Sequence, residues 1–135
     1  MELSESEASE MSPLVLAYVG DAVWELHIRA GLVSSGGVAS RVSDLHRRAS
    51  MVVNADAQSR MVHALFEKLS PEEQDLIRRG RNTRPGHVPK GAGPCEYRYA
   101  TGFEALIGFM YLTGRTSRLQ ELLSLATSIG GASNG

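Results

Sequence analysis

Apolar side chains recur at three- and four-residue intervals along most of the chain. No segment sustains an alternation of apolar and polar positions, so the pattern predicts helices and no sheet. Ser12-Pro13 reads as an N-cap followed by proline at the first helical position. From Leu14 to about Leu32 the only breaker is Gly20, which predicts one helix, closed by a turn at Ser34-Ser35-Gly36-Gly37. A second helix is expected from Val38 to about Ser50. A third runs from Met51 to Leu69, where Val53, Ala57, Met61, Ala64 and Leu65 keep helical spacing. Ser70-Pro71-Glu72-Glu73 has the form of a capping box and starts a short helix ending near Gly80. Arg81 to Cys95 reads as a loop rich in Gly and Pro. Glu96 to Thr113 is a fifth helix stopped by Gly114, and Ser117 with Gln120 opens a last one that ends at Gly130-Gly131. The expected fold class is all-α, a compact bundle of about six helices.

Two of these helices carry a lone acid. Asp21 is the only charge between Leu14 and Trp24, and Glu104 is the only one between Tyr99 and Leu112. Both segments are apolar nearly all round, as helices central to a core are. An ionised carboxylate in such a place is costly unless it is paired or holds a cation. Two readings stay open. Either each acid pairs with an arginine such as Arg29 or Arg98, or the two share a site. A shared site of hard oxygen ligands would suit Mg²⁺ or Mn²⁺. Glu25 lies one helical turn after Asp21 and could support the set, although its position also fits an ordinary surface residue.

The length of 135 residues allows one domain, here residues 12–130, between an acidic tail at 1–11 and a flexible end at 131–135. The tail holds four glutamates and no Lys or Arg, the opposite of a targeting peptide. Tyr99 to Leu112, at 14 residues, is too short to span a bilayer, so a cytoplasmic protein without membrane contact is expected. A single cysteine, Cys95, rules out an internal disulfide. The four histidines show no zinc-ligand spacing, and Gly86 to Gly91 lacks the lysine of a phosphate loop.

The formal net charge of −1 hides an uneven distribution. Arg78, Arg79, Arg81, Arg84, Lys90 and Arg98 against Glu96 give +5 between Arg78 and Arg98, which leaves −6 for the remainder. Arginine's planar fork suits phosphate, and Asn82, Thr83 and His87 add neutral donors. A basic segment can equally be a solvated charged loop. This one leads straight into the Glu104 helix, which makes phosphate binding and the acids neighbours.

Tyr18-Val19-Gly20-Asp21-Ala22-Val23-Trp24-Glu25 and Phe103-Glu104-Ala105-Leu106-Ile107-Gly108, followed by Tyr111-Leu112, resemble the two catalytic motifs of the ribonuclease III family. Asp44-Leu45-His46, the stretch from Ala55 to Gln58, and Arg79-Gly80-Arg81-Asn82 with Tyr97-Arg98-Tyr99 resemble its short branch, Mini-ribonuclease III. The likeness runs from about Leu14 to Gly114. It implies a homodimeric endoribonuclease that uses Mg²⁺, or Mn²⁺, to cut double-stranded RNA. The implied substrate is the 23S ribosomal RNA precursor, trimmed near both ends. Asp21 and Glu104 would be the catalytic and metal-holding residues, with Glu25 in support. Arg78, Arg79, Arg81, Asn82, Arg84, His87, Lys90 and Arg98 would bind RNA. Ribonuclease III also carries acids four residues before the signature aspartate and three before the second glutamate. Ala17 and Thr101 stand there in this chain, and the short branch shares these losses. Only 20 residues follow Arg115, too few for the family's double-stranded-RNA-binding domain, so grip on the substrate is expected from the catalytic domain itself. An alternative is a catalytically silent domain of this type that binds structured RNA or ribosomal particles. A third reading is a helical scaffold whose acids form internal salt bridges.

Overall fold

The computed structural model describes residues 2–83 and 94–133. They form α1 (Glu5–Glu10), α2 (Pro13–Gly36), α3 (Val42–Val53), α4 (Ala55–Leu65), α5 (Pro71–Asn82), α6 (Pro94–Leu112) and α7 (Thr116–Ser133). Single 3-10 turns lie at Gly37–Ala39 and Phe66–Lys68. Among the described residues there is no strand, and the fold class is all-α.

Local chemistry sets most of the helix starts. The Ser12 hydroxyl accepts from the Leu14 amide at 3.2 Å, with Pro13 opening α2. Ser70 and Glu73 close a reciprocal capping box at the start of α5. Asn54 separates α3 from α4, a break expected three residues earlier, at Met51. Its side chain accepts from the Ala57 amide at 2.9 Å and donates back to the Ser50 carbonyl at 3.0 Å, so one residue closes one helix and opens the next. Helix α7 runs past Gly130-Gly131 to Ser133.

The segment expected to be a frayed acidic tail is ordered. Ser4 and Glu7 form a second capping box, with both bonds at 3.1 Å. Ala8 is buried, and the Leu3 amide donates to the Leu112 carbonyl at 2.8 Å. Arg79 donates to the Ser9 carbonyl at 3.0 Å, and Arg115 pairs with Glu5 at 3.0 Å. These long-range bonds fasten α1 over the C-terminal end of α6. A reading of charge alone misses them.

Helix α6 is the axis of the bundle. Ala100, Phe103, Ala105, Leu106, Ile107, Phe109 and Met110 are all buried, with α2, α4, α5 and α7 packed around them. Trp24 of α2 meets Phe103 edge-on at 5.1 Å, a favoured aromatic geometry. The crossing of α2 and α6 is closer still. A Cβ on Gly20 would collide with the Glu104 carbonyl, and one on Gly108 with the Leu16 carbonyl. The helices therefore touch backbone to backbone, which only glycine allows.

Candidate active site

Gly20 lies against the Glu104 carbonyl, so the turn that carries Asp21 abuts the turn that carries Glu104. Asp21 is exposed at the rim and Glu104 is half-buried beneath it. The two carboxyls come within hydrogen-bonding reach of each other, which needs a proton between them or a cation beside them. Burial pushes the Glu104 carboxyl up to about 9. The hydrogen bond and charge of Asp21 add to the rise, the Gln58 amide opposes it, and the more distant Glu25 charge reinforces it.

Arg29 pairs with Glu25, at 3.7 Å. Among the described residues neither Asp21 nor Glu104 is in a salt bridge with a basic side chain. Two acids held together with no basic partner among the described residues form a net acidic pair, and its chemistry fits a hard divalent cation. Buried beside it, the Gln58 amide nitrogen has no hydrogen-bond partner. The donor set is small. Among the described residues no group of three or more His, Cys, Asp or Glu side chains is placed to hold a metal ion. Ala17 and Thr101, at the positions where ribonuclease III carries its other acids, are both buried. Asp21 and Glu104 would hold the ion, and water would complete its shell, as Mg²⁺ commonly permits.

The basic segment divides. Arg78 lies over the Phe66 ring at 5.2 Å, and Arg79 is occupied by the Ser9 carbonyl. Arg81 sits 5.6 Å over the Tyr99 ring, with its Nη1 3.4 Å from the Tyr99 hydroxyl and its Nε donating to the Asn82 side-chain Oδ1 at 3.2 Å. Arg81 and Asn82 belong to α5, which continues beyond the expected end at Gly80. Arg98 is exposed on α6. On a helix, residues two apart point nearly opposite ways, so Arg79 and Arg81 serve different faces. Arg84, His87 and Lys90 lie outside the described residues.

Two features escaped the sequence. His63, exposed on α4, packs its ring 4.3 Å from Tyr99 and uses Nδ1 to donate to the Ser59 carbonyl at 2.7 Å. Gln58, 2% exposed, lies beside Glu104 without a hydrogen bond from its amide nitrogen. Neither shows in the charge pattern, because glutamine carries no charge and His63 has no second histidine at metal-ligand spacing. The available signal was a polar residue on the apolar face of α4.

The model of the Ribonuclease III domain family matches residues 14–115. The fold and paired acids thus define a ribonuclease III domain, and the protein is an endoribonuclease. It belongs to the Mini-ribonuclease 3 branch of that family. The chain is 48% identical over 116 residues to Mini-ribonuclease 3 of Symbiobacterium thermophilum, covering 86% of this chain and 88% of that one. It is 42% identical over 127 residues to Mini-ribonuclease 3 of a Thermoanaerobacter species, covering 94% and 88%. A crystal structure of a Fusobacterium nucleatum protein superposes with a TM-score of 0.77 at 28% identity, over 88% of this chain and 93% of that one. Ribonuclease III family proteins generally use a divalent metal, act on double-stranded RNA and typically form dimers. No helix among the described residues is long and apolar enough to cross a membrane.

Proposed function

We propose that this chain is a Mg²⁺-dependent endoribonuclease that cuts double-stranded RNA, acts in the cytoplasm and matures the ends of the 23S ribosomal RNA precursor. Mn²⁺ would substitute for Mg²⁺. The observation that carries the reading is the pair formed by Asp21 and Glu104, two acids in contact at the crossing of α2 and α6 with no arginine paired to either among the described residues. The ion, when bound, supplies an activated water and stabilises charge at the departing 3′ oxygen. The protein's own part is to keep both acids in place. Glu104 must release its proton for the pair to receive a cation, so cation binding and proton release are coupled.

RNA would be gripped by shape, through its backbone and 2′-hydroxyls. Arg98 is exposed, and Arg81 with Asn82 is held against Tyr99 near it, whereas Arg79 is occupied at Ser9. Arg78, Arg84, His87 and Lys90 extend the basic segment that would meet the backbone. A homodimer would set two such sites along one duplex. Its support is an exposed apolar row on α2, formed by Val15, Tyr18, Leu26 and Val33, with Tyr18 82% exposed. Residues at this spacing line one helical face, and an unpaired face of this kind calls for a partner.

The test is cleavage of a duplex RNA with Mg²⁺, comparing wild type with Asp21→Asn. Wild type should cut, and the variant should lose more than the ~10- to 100-fold that follows removal of an outer-shell group. Equal cutting by both proteins, or none by wild type, would sink the proposal. Intact RNA that is nevertheless bound would favour a silent RNA-binding domain, the reading that Ala17 and Thr101 support.

A further inference from the structure

Gln58 stands on the inward face of α4 with Met61, Val62 and Leu65, all buried. As packing, a glutamine is a poor choice there. Its amide nitrogen is fully enclosed without a hydrogen-bond partner, which an apolar residue of the same shape would avoid. Helices α4 and α6 meet at His63 and Tyr99, whose rings are 4.3 Å apart. Gln58 and Glu104 are neighbours across this packing, the buried amide lying beside the carboxyl.

We propose that Gln58 is a positioning residue whose buried side-chain amide orients the Glu104 carboxyl that, with Asp21, holds the cation. The inference rests on the reading of this pair as a metal site. It gives the enclosed, unpartnered amide a purpose, since its N–H is available to the carboxyl beside it. Hydrogen-bonded outer groups commonly fix the geometry of metal ligands in this way. Gln58 itself touches neither RNA nor reacting atoms in this account.

Gln58→Met keeps the volume and removes the amide. Mn²⁺ binding followed by electron paramagnetic resonance on RNA-free protein gives a readout apart from activity, with thermal melting as the check on folding. The variant should melt at or above the wild-type temperature, bind Mn²⁺ about 10-fold more weakly, and lose kcat at saturating RNA with KM for RNA unchanged. Gln58→Leu, smaller and equally apolar, should repeat the affinity loss if the Met variant folds poorly. Wild-type Mn²⁺ affinity in the folded apolar variants would overturn the proposal and leave the metal site standing. Wild type that binds no Mn²⁺ and cuts no duplex would overturn both.

Discussion

Glu73 and Glu104 are both acids placed by helices in largely apolar surroundings, and the protein treats them in opposite ways. Glu73 is 4% exposed, yet every oxygen is satisfied. Arg118 reaches it with two bonds at 2.7 and 2.8 Å, and the Ser70 amide adds a third at 2.9 Å. The Arg118 hydrogen bonds hold the Glu73 carboxyl below the usual glutamate range, and burial only partly opposes them. Glu104 meets another acid instead of an arginine, and its carboxyl is pushed up to about 9. The first acid welds α5 to α7. The second is left frustrated. Glu73 is neutralised by the fold itself, whereas an acid kept beside another acid marks a candidate functional site.

The contrast can be broken most severely at Gly20. Gly20→Ala drives a Cβ into the Glu104 carbonyl, a backbone group that cannot swing aside. Chemical denaturation should show a loss at or above the upper end of the ~1–3 kcal/mol typical of overpacking. Gly31→Ala, where nothing lies within 4 Å, should instead gain up to ~1 kcal/mol from helix propensity. Equal midpoints for the two variants would refute the tight crossing.

Arg118→Met attacks the satisfied acid. A stranded buried carboxylate costs about 3–5 kcal/mol. With Arg118 34% exposed the loss should be smaller, about 2–3 kcal/mol, read from the urea midpoint at pH 7. Glu73→Gln in the Arg118→Met background should recover part of it. An undisturbed Arg118→Met protein would mean the weld contributes nothing.

The two acids should also leave opposite marks on stability against pH. Glu104 has a folded-state pKa raised above its unfolded value of 4.5, so the folded protein binds the extra proton between the two. Metal-free stability should therefore fall as pH rises from about 4.5 toward about 9, and Glu104→Gln should flatten that slope. Glu73 has its folded pKa lowered, so its contribution is present above 4.5 and lost as pH falls through the folded value. Glu73→Gln should blunt the acid limb and leave the alkaline one. A Glu104→Gln protein that keeps the wild-type slope above pH 5 would remove the electrostatic half of the comparison. Saturating Mg²⁺ should erase the same slope in wild type, because the cation replaces the proton.

The sequence shows the acids but not their company. Asp21 and Glu104 stand out because nothing else in their helices is charged, and the Ser12, Ser70 and Glu73 caps follow from local rules. Arg118 lies 45 residues from Glu73, so their pairing depends on how α5 and α7 pack. The same holds for Gln58, which is uncharged and reaches Glu104 only because α4 lies across α6. Helix α1 is hidden in the sequence for a different reason. Its Ser4 and Glu7 carry a capping box legible in the sequence, but a run of glutamates reads as a solvated tail until Leu3 and Ser9 find distant partners.

The crossing at Gly20 and Gly108 has a mechanical consequence. Side-chain layers between helices compress and rearrange, but two backbones in contact have no such cushion. The spacing of the acid-bearing turns is thus a stiff gauge built into the scaffold. An ion or duplex arriving at the site must fit that gauge, and any yielding must come from side-chain torsions and from the arginine-bearing elements around it.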